Sequence, residues 1–176
     1  MRFRETAIPG AWVLEPERLE DERGHFARTF CREEVGARGL ATDIAQASVS
    51  FNPVRGTLRG LHWQAAPHGE TKWVRCTRGA IWDVIVDLRP GSPSRLRHVG
   101  LELSADNGLQ LYVPDGVAHG FVTLAPDTEV SYRMSVPYHP GSARGARWND
   151  PVFAIDWPLE PVLMSERDRS YPDFVP

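Results

Sequence analysis

An arginine, a histidine and a glutamine stand close together in Leu58-Arg59-Gly60-Leu61-His62-Trp63-Gln64. An imidazole takes or gives a proton near neutral pH, and a guanidinium clamps an anion. In a strand, side chains at i and i+2 share a face, so His62 and Gln64 point the same way. Arg59 falls on the opposite parity unless Gly60 marks a bulge that re-aims it. The segment therefore predicts a base and an anion clamp beside one pocket.

Six histidines are present: His25, His62, His68, His98, His119 and His139. His98 and His139 read as structural or surface residues. His119 closes Pro114-Asp115-Gly116-Val117-Ala118-His119, where a tight turn hands directly to a strand. Proline, any residue, glycine, two residues and histidine is the second cupin motif. The first would place His-x-His and then a glutamate near His62. Here it reads His62-Trp63-Gln64, followed by His68 and Glu70. A bound metal needs three or four converging nitrogen or carboxylate ligands. His62, His119 and either His68 or Glu70 are the candidates. Gln64 is a poor ligand, however, and Lys72 brings a cation to the same place.

A second constellation is cationic. Arg23, Arg59 and Lys72 lie close to the glycine-marked turns Arg23-Gly24 and Arg59-Gly60. Arginine forks match phosphate oxygens in pairs, so the set points to an anionic ligand such as a diphosphate. Tyr132 occupies a strand position suited to a phenolic acid. Asp168, taken alone, reads as a solvated turn residue.

The elements that must carry these residues are strands. Glycine and proline punctuate the whole chain, with short runs rich in Val, Ile, Trp and Leu between them. Residues 73–76, 80–88, 98–103, 110–113, 120–124 and 129–134 read as strands. Turn signals such as Arg78-Gly79, Asp106-Asn107-Gly108 and Ala125-Pro126-Asp127 separate them. The spacing predicts an antiparallel sandwich or barrel. One short helix is expected over 31–38, ending at Gly39. The Pro-rich tail from Trp157 to Pro176 carries enough apolar residues to pack over the barrel.

The chain of 176 residues suits one domain with its own core. A net charge of −3 with intermixed signs argues against nucleic acid as a partner. No apolar run approaches the ~20 residues of a membrane helix, and the start lacks a signal-peptide pattern. Cys31 and Cys76 are too few and too far apart for a disulfide framework. A cytoplasmic protein with reduced thiols is expected.

Seven ordered blocks resemble a known family. They are Asp21-Glu22-Arg23-Gly24-His25-Phe26, Leu58 to Gln64, Asp83 to Arg89, Gly91-Ser92-Pro93, Pro114 to Phe121, Trp148-Asn149-Asp150-Pro151 and Ser165-Glu166-Arg167-Asp168. Together they make the chain similar, over nearly its whole length, to the dTDP-4-dehydrorhamnose 3,5-epimerases. The resemblance implies an all-β cupin jelly roll (a double-stranded β-helix) with short peripheral helices, as a single domain over residues 1–176. It implies epimerisation at C3, C5 or both of a 4-keto-6-deoxyhexose on a nucleoside diphosphate, without metal or other cofactor. A ketone at C4 acidifies the neighbouring C–H bonds, because the carbanion delocalises as an enolate.

By the same resemblance, His62 is the base and Asp168 its partner. Lys72 steadies the enolate oxygen and Tyr132 returns a proton on the opposite face. His119, oriented by Asp83, contacts the sugar. Arg23 and Arg59 clamp the diphosphate, and Tyr138 stacks on the nucleobase. A homodimer with exchanged strands is implied.

The nucleotide end departs from the family pattern. Arg28 stands where a glutamate is expected, Ser48 follows Gln46 in place of asparagine, Ala143 replaces a second glutamate, and Arg167 replaces a lysine. A guanidinium donates hydrogen bonds only, so Arg28 suits a carbonyl or phosphate rather than a base N–H. A different nucleotide carrier is one reading of these changes. The competing functions are a 3,4-ketoisomerase, a metal-dependent cupin isomerase or dioxygenase, and a non-catalytic sugar-binding cupin.

Overall fold

The computed structural model describes residues 1–176. Six strands form one sheet, in the order β1 (Arg2–Glu5), β2 (Trp12–Glu15), β10 (Gln110–Val113), β7 (Lys72–Arg78), β12 (Thr128–Met134) and β5 (Gln46–Asn52). Five form a second, in the order β13 (Ala143–Gly145), β6 (Leu58–Gln64), β11 (Val117–Thr123), β8 (Ala80–Asp87) and β9 (His98–Ser104). Neighbours within both sheets pair antiparallel. The two sheets face each other as a cupin jelly roll, the all-β fold expected. The hairpin β3 (Arg18–Asp21) and β4 (Gly24–Ala27) joins neither sheet.

Alternation decides what lies between the sheets. Val74 and Cys76 of β7, Ile81 and Ile85 of β8, Leu111 and Val113 of β10, and Phe121 of β11 share one buried cluster. β8 is buried on its other face too, where Val84 and Val86 meet Leu61, Ala146 and Phe153. A strand covered on both faces needs an almost continuous apolar run, which residues 80–88 supply. The tail does pack there: Trp157 and Phe174 lie against this second cluster. A third cluster joins Val35 of helix α1 (Arg32–Gly36) to Trp73 and Tyr112 on the outside of the six-stranded sheet.

The six strands read between residues 73 and 134 are all present, with one instructive shift, whereas β1, β2, β3, β4, β5 and the short β13 are not among those read from the sequence. β11 begins at Val117 rather than Gly120, because Val117 and Ala118 continue the ladder against Asp87 and Val86. This brings His119 inside the strand. β5 inverts the usual pattern: Gln46, Ser48, Ser50 and Asn52 alternate with Ala47, Val49 and Phe51. Its polar residues line the cavity between the sheets. Val49 and Phe51, outside, are 60% and 48% exposed. No helix is long and apolar enough to cross a membrane.

Candidate active site

One end of the jelly roll opens into a cavity of about 850 Å³, lined from both sheets. That is ample for a ligand of nucleotide-sugar size. His62, from β6, reaches it with its Nε2 nitrogen 2.6 Å from Oδ1 of Asp168. The bond occupies Nε2, so Nδ1 is the ring nitrogen left to act on a ligand. Asp168 sits on helix α2 (Glu166–Ser170), whose first turn is capped by the Ser165 side chain accepting from the Asp168 N–H. That cap fixes where the carboxylate stands. Burial alone would raise Asp168. The bonds from His62, the Gly60 N–H and Ser165 together hold its carboxyl below the usual range. An ionised partner fixes the imidazole's tautomer and stabilises the imidazolium.

Arg59 joins His62 in this cavity because β6 carries a bulge. His119 pairs with His62 and Phe121 with Arg59, so three steps on β6 match two on β11. The extra residue restores parity, and Arg59 and His62 face the same way. Gly60 makes it possible. Its φ is +132°, and a Cβ there would stand 2.5 Å from the Gly120 Cα. The Arg59 guanidinium is steadied by Nε donating to Oδ1 of Asn52, at 2.7 Å.

The opposite wall carries Tyr132 and Lys72. Tyr132 of β12 lines the cavity with its hydroxyl 3.4 Å from Ser50 Oγ. Burial pushes its phenol well above the ordinary range, further than the Ser50 bond and Arg59 lower it. It is therefore a neutral proton donor at neutral pH. Lys72 of β7 pairs with Glu70 at 3.0 Å, both side chains nearly buried. Its Nζ also donates to the His62 carbonyl at 3.3 Å. From β11, His119 places Nε2 2.7 Å from Oδ1 of Asp83. Asp83 is completely buried, and that burial raises its carboxyl against the pull of His119.

Gln46, Ser48, Tyr138, Ala143 and Arg167 line the same cavity. Gln46 Oε1 accepts from the Tyr138 N–H at 2.7 Å, which ties this rim to β5. The Tyr138 hydroxyl beside Arg167 raises the guanidinium's hold on its proton.

Two expected ligand contacts are not brought in by the chain's own fold. Arg23 stands at the tip of the β3–β4 hairpin, exposed and paired with Asp21. Arg28 pairs with Glu34 of α1. The hairpin has no sheet partner and keeps Arg23 exposed at its tip, while Arg28, just after β4, is held beside α1, and neither lines the cavity.

The metal-ligand candidates do not converge. His62 and His119 each give Nε2 to an aspartate, Glu70 gives its carboxylate to Lys72, and His68 stacks on His139 with ring centroids 3.6 Å apart. No group of three such side chains stands close enough to hold an ion.

Ser50, Asn52 and Tyr171 serve the site without having been singled out in the sequence. The signal for the first two was present in the polar-in alternation of residues 46–52. For Tyr171 it was only its spacing of three from Asp168.

Comparison with known proteins identifies the family. The sequence model of dTDP-4-dehydrorhamnose 3,5-epimerase matches residues 5–175. The dTDP-4-dehydrorhamnose 3,5-epimerase of Sinorhizobium fredii is 42% identical over 174 residues, covering 98% of this chain and 89% of that protein. The dTDP-4-dehydrorhamnose 3-epimerase of Streptomyces niveus is 38% identical over 170 residues, covering 96% of this chain and 82% of that one. The crystal structure of the Bacillus anthracis 3,5-epimerase with TDP and PPi bound is 40% identical, with a TM-score of 0.95 over 98% of this chain and 99% of that one. The His62–Asp168 pair and the facing Tyr132 thus lie in a chain that belongs to the dTDP-4-dehydrorhamnose 3,5-epimerase family.

Proposed function

We propose that this enzyme epimerises a nucleoside-diphosphate-linked 4-keto-6-deoxyhexose at C3, C5 or both, the reaction that turns dTDP-4-dehydro-6-deoxyglucose into dTDP-4-dehydrorhamnose. One observation carries the reading: the base and the acid stand on different sheets. His62 lies on β6 of the five-stranded sheet and Tyr132 on β12 of the six-stranded sheet, and both line one cavity. A sugar ring held between them meets a base on one face and an acid on the other. That is the arrangement that inverts a carbon.

The steps follow from the side chains. His62 Nδ1 takes the proton α to the ketone, and the electron pair moves onto the C4 oxygen as an enolate. Lys72 offers its charge to that oxygen, and a preorganised cation is worth most in a site shielded from water. Tyr132 protonates the carbon from the opposite face and becomes a phenolate. Exchange with solvent returns a proton to the phenolate and removes one from the imidazolium. No electron is gained or lost, and the donors need no cofactor. Arg59 holds the diphosphate, and Tyr138 with Gln46 and Arg167 the nucleoside end. The departures Ser48 and Ala143 lie along that end, so a different base on the carrier would be read there.

The same reading makes the working unit a homodimer. The hairpin residues Leu19 and Phe26 are 69% and 71% exposed, and β5 is an uncovered sheet edge with exposed Val49 and Phe51. Exposed apolar residues beside an open edge support association. A second copy's hairpin laid along this edge would deliver its Arg23 and Arg28 to the cavity. The whole chain, residues 1–176, acts as a single epimerase domain in the cytoplasm. Its two free cysteines fit that reducing compartment.

The test is hydrogen exchange in D2O, followed by proton NMR, with the dTDP, UDP, GDP and CDP forms of one 4-keto-6-deoxy sugar. Deuterium at C3 or C5 and formation of an epimer support the reading. A folded protein that exchanges neither position of any carrier overturns it.

A further inference from the structure

The His62–Asp168 bond leaves one freedom unaccounted for. A hydrogen bond to a single ring nitrogen fixes that nitrogen, but the imidazole can still rotate about the bond and swing Nδ1 away from a ligand. The His62 side chain is 39% exposed, so strand packing alone does not hold it.

We propose that Tyr171 is the positioning residue that removes this freedom. Tyr171 caps the C-terminus of the short helix that carries Asp168, three residues before it. Residues at this spacing lie on one side of a helical turn. Asp168 takes the Nε2 of His62, while Tyr171 sets its ring against the same imidazole, with centroids 6.2 Å apart and planes at 67°. One helical turn therefore grips the base twice, along its N–H axis and across its plane. Edge-to-face packing of this kind is directional as well as apolar.

Two further observations show that the fold makes room for the ring. Gly145 stands opposite His62 in the β6–β13 ladder. A Cβ at 145 would run into Cζ of Tyr171 and come within 2.5 Å of its Oη. The Tyr171 hydroxyl is buried without a hydrogen bond of ordinary length, and the Arg167 guanidinium lies beside it, 5.7 Å from the ring centroid. A buried hydroxyl so weakly partnered is unfavourable, so the ring's shape accounts for its place better than its polar end does.

The inference rests on His62 being the base, and its test separates the two. In ligand-free protein labelled with ¹⁵N-histidine, NMR reads which His62 nitrogen carries the proton, whatever the substrate. Wild type should show the Nε2–H form. Tyr171→Phe should keep that form and keep kcat within about threefold, since only a weakly partnered hydroxyl is lost. Tyr171→Ala should keep that form, because Asp168 still holds Nε2, but broaden or shift the His62 ring resonances as the plane is freed, and lower kcat ~10–100-fold at nearly unchanged KM, as expected when a catalytic group is misplaced by about an ångström. Gly145→Ala, which displaces the ring without removing it, should repeat the Tyr171→Ala result, and Tyr171→Leu keeps the test open should Ala fail to fold. Unchanged His62 ring resonances and kcat in a folded Ala or Leu variant overturn the proposal, as does a Phe variant as damaged as Ala. A wild type inactive on every nucleotide sugar, yet with His62 ring resonances that depend on Tyr171, upholds the positioning role and overturns the proposed reaction.

Discussion

His62 and Asp168 are 106 residues apart in the chain and 2.6 Å apart in the fold. The contact ties the bulged strand β6 to the C-terminal helix α2, so the base is complete only when the tail has docked. Asp168→Asn keeps the shape but can present an N–H where His62 needs an acceptor. It should lower turnover ~10²–10⁴-fold, the usual worth of an acid–base group, and His62→Ala should do the same. Steady-state kinetics with binding measured separately checks this. Unchanged turnover in either variant contradicts the assigned roles.

Tyr132 should separate the two proton transfers. In Tyr132→Phe the base remains, so deuterium still washes into the substrate from the His62 side. The returned proton then arrives on the face it left, and epimer formation falls ~10²-fold or more. NMR in D2O reads both quantities in one tube. Equal loss of exchange and epimerisation would mean that Tyr132 also holds the sugar in place.

Arg23 should act in the neighbouring subunit. Arg23→Ala should weaken substrate binding on its own. Mixed after unfolding and refolding with His62→Ala, it should recover about a quarter of wild-type activity, because half of the random dimers are hybrids carrying one intact site. No recovery on mixing places Arg23 in its own chain's site, or nowhere near one.

Asp87 should govern acid stability. It is completely buried and accepts from Arg89 at 2.8 and 2.9 Å and from Ser92 and Ser94 at 2.6 Å each. Burial opposes ionisation, but these donors outweigh it and hold the carboxyl far below its ordinary value. A folded value below the unfolded one, ~3.9 for aspartate, gives stability that is present above the unfolded value. It is lost as pH falls through the folded one. Asp87→Ala should cost about 3 kcal/mol at neutral pH, at the low end for a broken buried pair because Arg89 keeps access to water. It should also flatten the acid limb of the stability curve. Denaturant melts at pH 7 and below 4 check both.

What the sequence makes readable follows from how local each signal is. The apolar run over 80–88 announces β8 because burial on both faces requires it. His62 and Gln64 share a wall because their spacing is strictly two. Arg59 breaks that parity, and only the glycine beside it hints at the bulge that restores it. The β3–β4 hairpin is exposed along nearly its whole length, with Leu19 and Phe26 its one large apolar residue per strand, so no alternation marks it. Asp168 carries no local sign of its role, since its surroundings come from β6. The block resemblance supplied what spacing could not.

The most direct test of the account is proton NMR of the chelator-treated protein with dTDP-4-keto-6-deoxyglucose in D2O, comparing wild type with His62→Ala. The account predicts deuterium at C3, C5 or both together with an inverted centre in wild type, and neither in the variant. Exchange that persists at the wild-type rate without His62, or that vanishes on removing metal, would contradict it.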